Sequence, residues 1–154
     1  MKGLCLLMIG SLAWNGWAQE APKGPAEFQK IKMVVQTGDK SAETDAALRF
    51  EDNRLIIRSK KGGGELKAFN YTDIKTADYS YSKHPRWRSG AALAVAIGVF
   101  AIPLFFMKGK KHWLTIRTEN DFAILHLDKG NYAVILPTFE TRTGLKVATV
   151  GEKQ

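Results

Sequence analysis

Apolar and polar residues alternate in short runs along most of this chain, which is typical of strands that bury one face. The first run, residues 28–36, predicts a strand, and residues 37–45 predict a polar loop. Turn-forming clusters at Glu51-Asp52-Asn53 and at residues 60–64, where glycines allow positive φ, separate the next runs. The other predicted strands are 48–50, 55–58, 65–71, 76–82, 112–117 and 122–127. The pattern predicts a mainly β domain of about six or seven strands.

Residues 128–143 fit either a hairpin partner for 122–127 or an amphipathic helix. Apolar residues recur at the i, i+3, i+4 and i+7 spacing of a buried helical stripe, at Tyr132, Ile135, Leu136 and Phe139. Asp128 or Asn131 can cap the start, and Gly144 stands where a C-terminal glycine belongs. Pro137 opposes a helix, at a cost of about 3 kcal/mol in a helix interior. We predict a C-terminal helix.

An uncharged apolar run, residues 89–107, interrupts the series of predicted strands. At 1.5 Å per residue a helix of this length rises roughly 28 Å, just enough for a hydrocarbon core of about 30 Å. A single crossing would place residues 28–82 and 112–147 on opposite sides of the membrane. Interruptions at Gly98 and Pro103 also allow a bent re-entrant hairpin or two short helices, which keep both flanks on one side. Positive charge on both flanks favours the hairpin, whose two feet would rest on one anionic surface. Burial of the run inside the protein or an oligomer is the remaining alternative.

Cationic and aromatic residues flank the run, as at a membrane interface where long cationic side chains and tryptophans gather. The predicted membrane-interface residues are Arg86, Trp87, Arg88, Val95, Val99, Phe105, Phe106, Lys108, Lys110, Lys111 and Trp113. For Trp113, a place in the core of its strand is the alternative interpretation.

The N-terminus has the pattern of a secretory signal peptide. Lys2 precedes a short apolar core, residues 4–14, and Gly16-Trp17-Ala18 supplies small residues before a cleavage site after Ala18. The apolar core is shorter than the about 20 residues of a transmembrane helix, although an uncleaved anchor is the alternative. Cleavage would leave residues 19–27 as a linker and remove Cys5, the single cysteine. We therefore expect an exported, disulfide-free protein at the periplasmic or extracytoplasmic face of a membrane.

The basic charge predicts an anionic partner. The chain has a net charge of +8, and loss of Lys2 leaves 22 basic against 15 acidic residues, a net charge of +7. Positive charge attracts the phosphates of nucleic acids and of anionic lipids. Export argues against nucleic acid, and the cations clustered beside the apolar run favour lipid headgroups. A solvated basic surface without a partner is the alternative.

No motif predicts catalysis, a metal or a cofactor. His84, His112 and His126 lack the spacing of a metal site. The carboxylates occur without a Ser/His/Asp order or a paired-acid context, and residues 62–64 lack the lysine and serine of a phosphate-binding loop. We predict that the protein is not an enzyme.

The order of elements, an up-and-down series of strands closed by one helix, resembles the pleckstrin-homology-like fold of small bacterial domains. The resemblance is carried by the hairpin 48–58, the jog at 71–75 leading into Tyr79-Ser80-Tyr81, and residues 132–147. It implies one PH-like β-domain at residues 28–147, interrupted by the insertion 83–111 and followed by a tail at 148–154. It also implies a barrel or sandwich used for binding and no catalysis. Phosphoinositide recognition does not carry over, because no matching basic loop is present.

Together these features predict a non-catalytic, membrane-associated binding or scaffold module of the cell envelope. Its partners would be anionic lipid and an unknown protein. The alternative is a soluble self-assembling protein that buries residues 89–107 among copies of itself.

Overall fold

The computed structural model describes residues 24–37, 40–83, 85 and 108–151. Within these residues the chain forms eight strands, one α-helix and a short 3₁₀ turn at Tyr71–Asp73. The elements are β1 (Ala26–Thr37), β2 (Lys40–Phe50), β3 (Arg54–Ser59), β4 (Glu65–Asn70), β5 (Thr76–Ser82), β6 (Lys111–Arg117), β7 (Phe122–Leu127), α1 (Tyr132–Thr143) and β8 (Val147–Thr149).

All eight strands belong to one sheet, in the order β4-β3-β2-β1-β7-β6-β5-β8. Every pairing is antiparallel except that of β8, which runs parallel to β5. Strand β1 joins two halves of the sheet, β4-β3-β2 on one side and β7-β6-β5-β8 on the other. It pairs with β2 along its length and with β7 at Ile31–Met33. A bulge at Gln29 and Lys30 interrupts its pairing with β2, and Lys30 has a φ of +58°. Bulges bend strands, so β1 can serve both halves of a curved sheet.

The core lies on the inner face of the sheet, where residues from both halves meet α1. Helix α1 contributes Ile135 and Phe139, both fully buried, and the ring of Phe139 lies edge-on to that of Phe50 at 6.5 Å. The remaining buried members are Ile31, Met33, Ala46, Leu48, Leu55, Ile57, Phe69, Ile74, Ala77, Leu114, Ile116, Ala123, Leu125 and Leu127. They alternate along the strands, as expected for a sheet that buries one face.

The C-terminal helix is confirmed and ends as predicted. Gly144 has a left-handed φ of +72°, and its N–H donates to the carbonyl of Glu140 at 2.9 Å. Asn131 stands at the N-cap, but its side-chain amide donates to the carbonyl of Gln29 at 2.8 Å instead of capping the helix. Pro137 lies inside the helix, which continues through it.

Two parts of the predicted fold need correction. The polar loop predicted at 37–45 is wrong, because Lys40–Asp45 form the first half of β2 and pair with Lys32–Thr37. Backbone pairing supports this segment despite its polar side chains. The strand count is eight within the described residues, because Val147–Thr149 add β8 alongside Ala77–Tyr79 where a tail was predicted from residue 148.

Candidate functional site

The insertion leaves and rejoins the sheet at one place. Strands β5 and β6 are antiparallel neighbours paired from Thr76↔Arg117 to Ser82↔Lys111. The indole N–H of Trp113 also donates to the carbonyl of Ser82 at 3.0 Å, which fixes the two strands at this end. A single membrane crossing by residues 89–107 would separate β5 from β6, and this pairing is incompatible with that topology. The part of the chain that the structure describes contains no helix long and apolar enough to cross a bilayer.

Lysines gather at the end of the sheet where the insertion is attached. Lys83 follows β5, Lys108 and Lys110 precede β6, Lys30 sits in the β1 bulge, and Lys129 lies in the turn before α1; all five are exposed. The side chain of Asn131 holds that turn against the bulge through Gln29. We call Lys30, Lys83, Lys108, Lys110 and Lys129 the lysine rim. The opposite end of β5, where Ala77 pairs with Val147, carries Lys75 and Lys146, which are also exposed.

An aromatic cluster lies beside the rim on the inner side of the sheet. The rings of His112 and Tyr132 stack with centroids 3.8 Å apart, and Tyr81, 52% exposed, lies 4.7 Å from His112. The Tyr79 hydroxyl and His112 Nδ1 are hydrogen-bonded at 2.7 Å. Burial raises the pKa of Tyr79 and lowers the pKa of His112, which favours the neutral form of both groups. Stacking and this hydrogen bond hold the cluster together as an aromatic surface.

A charged cluster occupies the outer side of β2, β1, β7 and β6. Glu43 Oε1 lies 3.4 Å from His126 Nδ1 and 3.2 Å from Lys111 Nζ, and its Oε2 lies 3.4 Å from Lys32 Nζ. His126 and Lys111 together lower the pKa of Glu43 to about 2, against the opposing effect of burial. The carboxylate is charged at neutral pH and ties four strands together.

The structure describes only some of the predicted interface residues. Lys108 and Lys110 are exposed at the rim, whereas Lys111 is half-buried beside Glu43. Trp113 is fully buried in a cluster with Val34 and Ile124, which corresponds to the alternative interpretation of a core residue in its strand. The predictions for Arg86, Trp87, Arg88, Val95, Val99, Phe105 and Phe106 fall outside the described residues.

Sequence reasoning missed the two side-chain clusters. Tyr79 and Tyr81 were placed on one face of a strand, but nothing in the sequence indicated that His112 and Tyr132 join them. Glu43 belonged to the predicted polar loop, and no sequence pattern near it indicated its contacts with Lys111 and His126. Both clusters depend on strand pairing between distant segments.

Two further features of the described residues bear on ligand binding. No group of three metal-ligating side chains converges within residues 24–37, 40–83, 85 and 108–151. A polar cleft of about 580 Å³ opens between β4 and the β6–β7 turn. Both charge signs line it, from Arg54, Asp73, Lys75, Glu119 and Asp121. This mixture has the character of a solvated surface and does not select one ligand charge.

No protein family model and no curated protein matches the chain. Among solved structures it is similar to the structure of the Spt16D Pob3N heterodimer, with a TM-score of 0.50 and 13% identity over 84% of this chain. The match spans 56% of that protein's length. A second similar structure, the C-terminal domain of an unknown protein from Leishmania infantum, has a TM-score of 0.38 and 13% identity over 73% of this chain and 84% of that one. The first likeness supports a PH-like β-domain and shows the fold alone.

Proposed function

We propose that this chain is a non-catalytic binding module held at an anionic membrane surface by its β5–β6 connection. The observation that carries the proposal is the pairing of Ser82 with Lys111. It brings both basic ends of the apolar insertion to one end of one sheet. A re-entrant segment needs this arrangement, because its two feet rest on the same side of the membrane.

Charge and aromatic side chains at that end support the proposal. Each lysine near an anionic leaflet contributes about 1 kcal/mol of attraction, and the lysine rim supplies five of them. Tyr81 is exposed beside them, and tyrosine is a residue that settles at the headgroup level. We further propose that the protein is exported and that the lysine rim lies at the outer face of a membrane. The rest of its surface would then hold a protein or lipid partner.

Vesicle flotation tests the proposal with two charge-matched variants. The protein is purified from expressing cells, and mass spectrometry defines its N-terminus. It is then mixed either with vesicles of phosphatidylcholine alone or with vesicles of phosphatidylcholine and phosphatidylglycerol. We expect binding to the anionic vesicles that weakens with salt. The Lys83→Glu/Lys108→Glu variant should bind at least about 30-fold more weakly, since two lysines contribute about 2 kcal/mol. The control Lys75→Glu/Lys146→Glu makes the same change of charge at the far end of β5 from Lys83 and should lose only a few-fold.

Equal losses in the two variants would show that net charge, not the lysine rim, directs binding. Absence of binding to either vesicle would reject the membrane proposal. A lipid-free oligomer that ignores vesicles would then favour the self-assembling alternative.

A further inference from the structure

Strand β4 is the last strand at one end of the sheet. Within the described part of the chain, one of its two sides therefore has no neighbouring strand. The strand at the other end, β8, has three residues, whereas β4 has six. An unpaired strand edge presents backbone N–H and C=O groups to which a further extended chain can bind. The β4 edge is the longer of the two ends of the described sheet.

A hydrogen bond just before β3 shows which residues of β4 face this edge. The N–H of Tyr71 donates to the carbonyl of Asn53 at 3.0 Å, which continues the register of β4 against β3. Because hydrogen-bonded positions alternate in an antiparallel pair, Phe69 also directs its backbone groups towards β3, and those of Ala68 and Asn70 point away from it. Both outward-facing residues are exposed, and Asn70 has an extended backbone with a φ of −68° and a ψ of 142°.

The polar cleft of about 580 Å³ lies against this edge. Ala68 and Asn70 belong to its β4 wall, and the β6–β7 turn forms the facing wall. Beyond Ala68, Lys67 joins the two walls through hydrogen bonds to Asp121 and to the carbonyl of Phe122. Ligand clefts commonly have volumes of about 300 to 1,000 Å³. The two outward-facing residues thus line a space large enough for a few residues of another chain.

We propose that the β4 edge binds an extended peptide segment of another protein, which adds a strand beside residues 68–70. The backbone groups at the edge specify this ligand, because an extended chain offers donors and acceptors at the same spacing. Charge does not specify it, since Lys75 and Glu119 give the cleft both signs. A ligand recognised through its uncharged backbone suits such a cleft.

This binding does not depend on membrane attachment. The lysine rim contributes no residue to the cleft, so the two surfaces are separate. The side chain of Ala68 is a single exposed methyl group, which leaves room beside it for a larger side chain of the added strand. Main-chain hydrogen bonds would supply affinity, and side-chain contacts of this kind would supply selectivity.

Asn70→Pro removes one edge donor without straining the backbone. Proline fixes φ near about −65°, and Asn70 already has a φ of −68°. The N–H that is lost points away from β3, so the pairing within the sheet keeps its hydrogen bonds. The control Asn70→Ala keeps the backbone N–H, and both variants lose the side-chain bond from Asn70 Nδ2 to Asp73 Oδ2 at 2.8 Å. Comparing them isolates the edge donor.

The probe is a phage-displayed library of random peptides, selected against the full chain. Enriched peptides are synthesised, labelled and titrated by fluorescence polarisation. We expect their Kd to rise at least about tenfold for Asn70→Pro, because a main-chain hydrogen bond is lost and the peptide carbonyl is left unpaired. Asn70→Ala should bind like the parent chain. Vesicle binding should be the same for all three proteins.

N-methylated peptides test the proposal without a protein variant, so the test holds even if Asn70→Pro fails to fold. Every second N–H of an added strand faces β4. Methylating one alternate set of peptide nitrogens should therefore abolish binding, and methylating the other set should leave it intact.

Three results would overturn the proposal. The first is equal binding of the peptides to the parent chain and to a folded Asn70→Pro, or equal effects of the two methylation patterns. The second is a selection that enriches no binding peptide. The third is a dimer of this chain that dissociates in Asn70→Pro and persists in Asn70→Ala, which would assign the edge to a second copy.

Discussion

Ile124 and Leu125 are neighbours in β7 and nearly equally buried, yet they face opposite sides of the sheet. Leu125 contacts the interior, where both halves of the sheet and α1 enclose it. Ile124 belongs to the outer face with Trp113 and Val34. The comparison teaches that one strand can bury both of its faces: the inner face packs against α1 and both halves of the sheet, and the outer face groups Ile124 with Trp113 and Val34.

The two faces also differ in polarity. The interior cluster is apolar throughout, whereas the outer face buries Asp78 and Arg117 as well as hydroxyl side chains. Arg117 Nη2 lies 3.6 Å from Asp78 Oδ2, and its Nε donates to Thr76 Oγ1 at 2.8 Å. Buried polar groups need such partners.

The largest expected effect tests burial on the two faces of β7. Leu125→Ala and Ile124→Ala should each reduce the free energy of unfolding by about 2 to 4 kcal/mol, since each removes a buried aliphatic side chain. Urea denaturation of the parent chain and the two variants measures both costs. A cost below about 1 kcal/mol for Ile124→Ala alone would show that the outer face is not buried in solution as the inner face is.

A smaller effect concerns the charged cluster on the outer face. Glu43→Gln should cost about 1 to 3 kcal/mol at neutral pH, because Lys111, Lys32 and His126 lose their shared carboxylate. Glu119→Gln, an exposed control, should stay within about 0.5 kcal/mol of the parent.

The pH dependence of this cost has a definite sign. The pKa of Glu43 is lowered from 4.5 to about 2, so the folded protein holds the charged form more strongly than the unfolded chain does. The stabilisation is fully present above pH 4.5 and is lost as the pH falls towards about 2. Denaturation of parent and Glu43→Gln across this range should show the two stabilities converging. A constant difference would exclude ionisation of Glu43 as its source.

The smallest effect tests the inner face beside the lysine rim. Tyr79→Phe removes the hydrogen bond to His112 Nδ1 and should cost about 1 kcal/mol. NMR titration should show the pKa of His112 still below its ordinary value in the variant, because burial is the main cause of its lowering. A return to the ordinary value would mean that the hydrogen bond alone lowers it.

Local signals in the sequence predicted much of the fold. Alternation located β5, and Gly144 located the end of α1 despite Pro137. Strand residues 40–45 were missed because their side chains are polar and their place depends on pairing with β1. The buried Trp113 and the Tyr79–His112 contact were out of reach, since both depend on the register of β5 against β6, across the insertion. Alternation along one strand reveals two faces but does not say what covers each.

The central place of β1 also affects the order of folding. Ile31 pairs with Leu127, 96 positions later in the chain, and pairings between such distant segments form slowly. Strands β1 to β4 are consecutive and can pair while β6 and β7 are still unmade. During synthesis the most apolar segment, 89–107, therefore emerges before the strands that complete the outer face.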